Sequence, residues 1–173
     1  GIITGAEARE IVRGLAAVEK DFEGRDLFAY ASRYEDIHTL IQSELEKRAG
    51  KVAKKLHTGR SRNDLVVTST RIYLREKISV ICYEIRRLQR ALVSAADRAA
   101  DLIIPGMTHL RKAQPVLLAH HLLAYVEMTE EDTMRFRDAL KRVNVLPIGS
   151  AALAGSALPI DQKFLAKELG FEK

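Results

Sequence analysis

Apolar residues recur at helical spacing through most of the chain. Ala8, Ile11, Val12 and Leu15 form one stripe, and Thr4 with Glu7 just ahead of it make a capping-box pattern. Together they predict a helix from about Gly5 to about Asp21. Ser32 and Glu35 repeat the capping pattern before Ile37, Leu40, Ile41 and Leu45, which predicts a second helix stopping near Gly50. Lys51 to Asn63 is polar and basic and reads as a loop. From about Asp64 to about Ala100 there is neither Gly nor Pro, and the stripe runs Val67, Leu74, Ile78, Ile81, Ile85, Leu88, Leu92 and Ala95. A helix of that length spans about 50 Å at roughly 1.5 Å per residue, more than the diameter of a small domain.

Pro105 and Gly106 break the pattern. Pro115 is well placed for the first turn of a further long helix reaching about Arg142. Pro147, Gly149, Gly155 and Pro159 mark a small-residue loop, Val145 to Ile160, after which Asp161 can cap a short final helix ending at Gly170. No segment alternates convincingly as a strand. The expected fold is all-α, a long-helix bundle. Residues 1–104 form an N-terminal helical region with the basic loop 51–64 and the start of the bundle. Residues 105–173 hold a second loop and the continuing bundle. One such chain has too few long helices to cover both of the longest ones, so self-association is the physical expectation.

Composition adds limits. The chain has 173 residues, 47% of them apolar, enough for one domain with a core. No apolar run is long enough for a membrane span. The N-terminus lacks the shape of a signal peptide. A single cysteine, Cys82, has no internal disulfide partner, and its neighbours Ile78, Ile81 and Ile85 point to a buried reduced thiol and a reducing compartment. The net charge of +5 is unevenly spread. Glu7 to Glu46 holds five basic and ten acidic residues, whereas Lys47 to Arg90 holds 13 basic and three acidic. A basic centre suits an anionic partner, either nucleic acid or a small polycarboxylate, beside the plainer reading of a solvated helix surface.

Two segments concentrate chemistry. Lys55-Leu-His-Thr-Gly-Arg-Ser-Arg-Asn-Asp64 puts two arginines, a histidine, two hydroxyls and an amide at the start of the long helix. Free N–H groups there favour anions, and Arg60 and Arg62 can grip carboxylates through two N–H groups each. Ser61 with Asp64 is also a capping box, which alone would not call for two arginines and Asn63 in the same turn. Pro105-Gly-Met-Thr-His-Leu-Arg-Lys-Ala-Gln-Pro115 joins the two longest helices. His109 in a connection suits proton transfer, with Thr108 beside it, although a lone loop histidine is commonly just solvated. His120 and His121 are adjacent in a helix and read as packing or surface residues. His38 follows Glu35 and Asp36, which suits either an orienting carboxylate–histidine pair or, as the plainer reading, a helix-end charge interaction. No zinc spacing, phosphate-binding Gly loop or nucleophile elbow is present.

These two segments resemble the conserved stretches of the argininosuccinate lyase family within the fumarase/aspartase superfamily. Glu35-Asp-Ile-His-Thr39, and Asn144-Val-Leu-Pro-Ile-Gly-Ser150 with Ala154-Gly155, also resemble family stretches, so the likeness covers essentially the whole chain in order. It implies an all-α superfamily fold and β-elimination of argininosuccinate to arginine and fumarate, with no metal or organic cofactor. It implies a cytoplasmic homotetramer whose active sites draw on three subunits, serving arginine biosynthesis or the urea cycle. Carried over by position, Ser61, Arg62, Asn63 and Thr108 bind substrate, and Thr108 and His109 act at the catalytic centre, His109 in proton transfer. Met107, Arg111 and Leu65 depart from the residues usual at their positions. The resemblance further implies that the chain is an internal piece, with a serine-bearing segment of the form G-S-S-x-M-P-x-K-x-N lying beyond Phe171 and a substrate segment ahead of Gly1. Two other classes remain to weigh. One is a non-catalytic helical assembly protein of the crystallin kind. The other is a nucleic-acid-binding helical domain, for which no binding motif or interleaved aromatics are present.

Overall fold

The computed structural model describes residues 2–173. Helix α1 (Gly5–Phe22) begins at the Thr4/Glu7 capping box that the sequence announced. A short α2 (Leu27–Ala31) follows, then α3 (Ile37–Ala49). Its cap is Asp36, whose Oδ1 accepts the Thr39 N–H at 2.7 Å. The expected Ser32/Glu35 box is therefore not used, and the Ser32 hydroxyl instead donates to the Ala29 carbonyl at 3.2 Å. A carboxylate nearer the stripe outcompetes a hydroxyl four residues earlier. The basic stretch expected as a loop is a 3-10 segment, Gly50–His57, carrying buried Ala53.

The buried core sits in this N-terminal third. Ile11, Leu45, Ala49 and Ala53 cluster, with Leu15, Val52 and Leu56 packed against them. Gly14 lets α1 and α3 approach closely, because a Cβ there would stand 2.6 Å from Leu45 Cδ1.

Helix α4 (Arg62–Arg98) is one unbroken element of 37 residues, about 55 Å long. Helix α5 (Leu118–Val143) packs on it in the reverse direction. Gln89 Nε2 donates to Glu130 Oε2 at 3.1 Å midway along, and Arg71 donates to the Val145 carbonyl near the far end. After the turn at Pro147–Gly155 comes α6 (Gln162–Glu168), capped by Asp161 as expected. The tail returns to α4, where Arg75 stacks over buried Phe171 at 4.6 Å.

Between α4 and α5 the structure corrects the sequence reading. Strands β1 (Ile103–Thr108) and β2 (Arg111–Leu117) form an antiparallel hairpin, and α5 starts at Leu118 rather than at Pro115. Pro115 pairs opposite Pro105 across the hairpin. Both prolines are tolerated because a two-stranded hairpin has only edges, where a missing N–H leaves no ladder bond broken. The largely helical fold otherwise stands as expected.

The stripe on α4 divides in two. Ile78 is buried, and Ile85 and Leu92 are half-buried. Val67, Leu74, Ile81 and Leu88, one in every seven positions, remain 38–50% exposed. Cys82 is consequently half-buried, not buried as expected.

Leu45→Ala should lower the unfolding free energy by about 2–5 kcal/mol. Gly14→Ala should cost about 1–3 kcal/mol through overpacking. The double variant should be less destabilised than the two effects added together, since truncating Leu45 makes room for the new methyl group. Denaturant titration of all four proteins checks this, and strict additivity would refute the contact.

Candidate active site

The first chemical segment folds as a turn leading into α4. Gly59 has a φ of +74°, and a Cβ there would press on Leu158 Cδ1 and Ile160 Cδ1, each at 3.1 Å. Only glycine meets both demands without strain. Ser61 caps α4: its Oγ accepts the Asn63 N–H at 3.2 Å, while its own N–H donates to Asp64 Oδ1 at 3.2 Å. The capping box is thus present, and Asn63 stays exposed beside it.

Arg62 is anchored from α3. Its Nη2 donates to Thr39 Oγ1 at 3.2 Å and its Nε lies 3.3 Å from Asp36 Oδ2. Thr39 Oγ1 in turn donates to Asp36 Oδ1 at 2.9 Å. A guanidinium has five N–H donors, so these contacts orient Arg62 and leave others for a ligand. Burial works against ionisation of Asp36, but the two Thr39 donors, then Arg62 and His38, outweigh it and hold the carboxyl below its usual range. Burial lowers the His38 pKa. The Asp36 charge opposes that, and Arg62 reinforces it. Burial also lowers the Arg60 pKa against the pull of Asp64. His38, His57, Lys54, Arg60 and Arg62 line a cleft of about 350 Å³ together with Glu46, which pairs with Lys54 at 3.8 Å. The arrangement sets Arg60 and an anchored Arg62 beside the N-terminus of α4, the chemistry that favours anions.

Thr108 and His109 sit at the tip of the β1–β2 hairpin, both exposed. Thr108 pairs with Arg111, so His109 and Leu110 make a two-residue turn. Both have positive φ, +48° and +62°, the pattern of a type I′ turn. Leu110 is 95% exposed.

One chain does not bring the two segments together. The hairpin base is tied to the α5 start by the Leu118 N–H on the Leu102 carbonyl, at the end of α4 opposite Arg62. The helix separates these ends by about 54 Å. The hairpin reaches at most roughly 20 Å. His109 and Arg62 of the same chain thus stay some 30 Å or more apart by these lengths. The anchoring of Arg62 by Asp36 and Thr39 was not read from the sequence. The signal that could have shown it is Asp36-x-x-Thr39, a cap whose free oxygen faces a basic loop.

A protein family described as "Lyase" matches residues 1–173. This chain belongs to that family. Curated argininosuccinate lyases are among this chain's relatives. That of Thioalkalivibrio sulfidiphilus (strain HL-EbGR7) is 51% identical over 172 residues, and that of Synechococcus sp. (strain CC9605) is 50% identical over 171. Each match covers 99% of this chain and 37% or 36% of the relative, so the chain spans a little over a third of their length. Among solved structures, EDDS lyase in complex with formate matches with a TM-score of 0.88 at 31% identity, covering 99% of this chain and 33% of that one. A β-carboxy-cis,cis-muconate cycloisomerase from Acinetobacter calcoaceticus sp. ADP1 matches with a TM-score of 0.72 at 20% identity, covering 99% and 40%, and bears on the fold alone. Among the described residues, no helix is long and apolar enough to cross a membrane, and no group of His, Cys, Asp and Glu has metal-binding geometry.

The His38 shift gives a pH test. The folded state holds His38 with a lowered pKa, so as pH falls through about 6.5 the unfolded chain takes up a proton first. Stability present above that pH is lost on the way down to the folded value. His38→Gln should flatten the fall of unfolding midpoint below about pH 6.5. Equal slopes for the two proteins would refute the assignment.

Proposed function

We propose that this chain supplies two substrate-handling segments of an argininosuccinate lyase, which releases fumarate and arginine by β-elimination. The observation that carries the reading is Arg62, oriented by Asp36 and Thr39 beside the free N–H groups of α4, in a chain half identical to curated argininosuccinate lyases. The substrate offers several carboxylates to such a receptor.

In the reaction a proton leaves the succinyl carbon next to a carboxylate. The electron pair left behind forms the fumarate double bond as the carbon–nitrogen bond breaks, and the guanidino nitrogen departs with a proton. Arg62 and Asn63 hold substrate carboxylates, with Ser61 alongside. Thr108 binds substrate and His109 takes part in proton transfer, in step with its place on an exposed turn. No step calls on a metal or organic cofactor.

The separation of the two segments supports a site shared between copies: the hairpin of one chain meets the Arg62 turn of another. The exposed row Val67, Leu74, Ile81 and Leu88 is the kind of seam that a helical bundle covers, which supports a homotetramer. A cytoplasmic setting and a role in arginine biosynthesis or the urea cycle complete the proposal. So does the division into an anion-loop region, 1–104, and a hairpin-and-bundle region, 105–173.

The test is fumarate release from argininosuccinate by the complete polypeptide, followed by ultraviolet absorbance. His109→Ala should lower kcat about 100-fold or more with assembly intact. Arg62→Ala should raise KM about ten-fold or more through loss of a charge-assisted carboxylate contact. Near-normal turnover in the first variant, or unchanged KM in the second, removes that residue's role. Sedimentation supplies a separate check: a multimer is expected, and a clean monomer at micromolar concentration would overturn the shared site.

A further inference from the structure

Asp64 is a buried carboxylate, 5% exposed, and helix capping occupies only one of its oxygens. Oδ1 accepts the Ser61 N–H. Oδ2 accepts the Ala151 N–H at 3.0 Å, from 87 positions along the chain. Ala151 lies in the turn Pro147–Gly155 with a φ of +49°, a left-handed conformation that a non-glycine residue keeps only where its surroundings enforce it. The turn is also gripped from α6, where Gln162 Nε2 donates to the carbonyl of buried Ile148 at 3.3 Å. Gly59 meets Leu158 and Ile160 of the same segment. Arg60, Ser61, Arg62 and Asn63 are thus bracketed between two ties to one stretch of chain, at Gly59 and at Asp64. On the helical side, Thr68 Oγ1 donates to the Asp64 carbonyl at 2.6 Å.

We infer that Asp64 is a positioning residue: it clamps the Ala151 turn to the start of α4 and thereby fixes where Ser61, Arg62 and Asn63 are presented. Its kinetic consequence rests on the proposed lyase reaction, whereas the clamp itself does not. An ionised carboxylate can accept both N–H groups at once. An amide of the same size has a single oxygen, and its NH₂ would face one of the two donors. Asp64→Asn therefore cuts one tie without changing volume. Ala151→Gly relaxes the turn from the other side, because glycine takes positive φ freely.

In the complete polypeptide, Asp64→Asn should speed hydrogen exchange of peptides spanning Ile148–Gly155 by about ten-fold, the loss of one buried hydrogen bond. It should also raise KM for argininosuccinate by about ten-fold, with kcat changed far less. A merely structural loss would shrink the active fraction and lower apparent kcat while leaving KM alone. Ala151→Gly should leave the parent's KM near its starting value but recover part of the rise in the Asp64→Asn background. If Asp64→Asn folds poorly alone, recovery of folding by Ala151→Gly supports the clamp, and failure to recover overturns it. Unchanged exchange over Ile148–Gly155, a loss confined to kcat, or the same effect of Ala151→Gly in both backgrounds also overturns it. If the parent releases no fumarate, the proposed reaction fails and the exchange result alone decides the clamp.

Discussion

The constraint on which the rest depends is a helix too long for its own chain to cover. Helix α4 carries 37 residues without Gly or Pro and puts the Arg60–Arg62 turn at one end and a histidine-bearing hairpin at the other. Helix α5 covers one side of it. The remaining apolar seam and the distance between the two segments point the same way, to the proposed site in which segments kept apart within a chain meet between chains. On that proposal, the length of α4 turns geometry into a requirement for neighbours.

Electrostatics organises the Arg62 end of α4. The acidic surplus of the first segment and the basic surplus of the next meet in space, with Lys55 on Glu7, Arg48 on Asp21 and Arg62 on Asp36. The first two pairs are partly exposed and add little stability. The third differs in kind, because Asp36 also caps α3 and holds Thr39. One carboxylate therefore sets a helix start and a guanidinium at the same time. A basic loop that reads as a general anion-attracting surface in the sequence is in three dimensions a small set of aimed donors.

What was legible in the sequence was local. Thr4 with Glu7, Ser61 with Asp64, and Asp161 each mark a helix start, because capping is decided within four residues. The two long helices followed from unbroken periodicity. The β1–β2 hairpin was not legible. Pro105, Gly106 and Pro115 argue against strand, both faces are largely exposed, and the tip carries His109 and Leu110 where glycine or asparagine would have signalled the turn. Asp36 does not stand out as a cap in the sequence, because Ser32 and Glu35 offer the familiar spacing just ahead of it. The burial expected of Cys82 failed because periodicity tells which face is apolar, not what covers it. Of the candidate site, the residue types and their order were readable. The Thr39 and Asp36 anchors of Arg62, and the reach of Asp64 to Ala151, join residues far apart in sequence and leave no local trace.

The uneven placement of the core has a consequence for how the molecule holds together. Ile11, Leu45, Ala49 and Ala53 form a sealed cluster in the first third of the chain, while most large apolar side chains of α4 stay accessible. Cooperativity is then unevenly distributed. The N-terminal third has its own reason to stay folded, but the helix pair carrying both chemical segments leaves much of its apolar surface uncovered by its own chain. In the proposed homotetramer, association is a late folding step as well as an arrangement of finished parts, because it covers the side of α4 that its own chain leaves accessible.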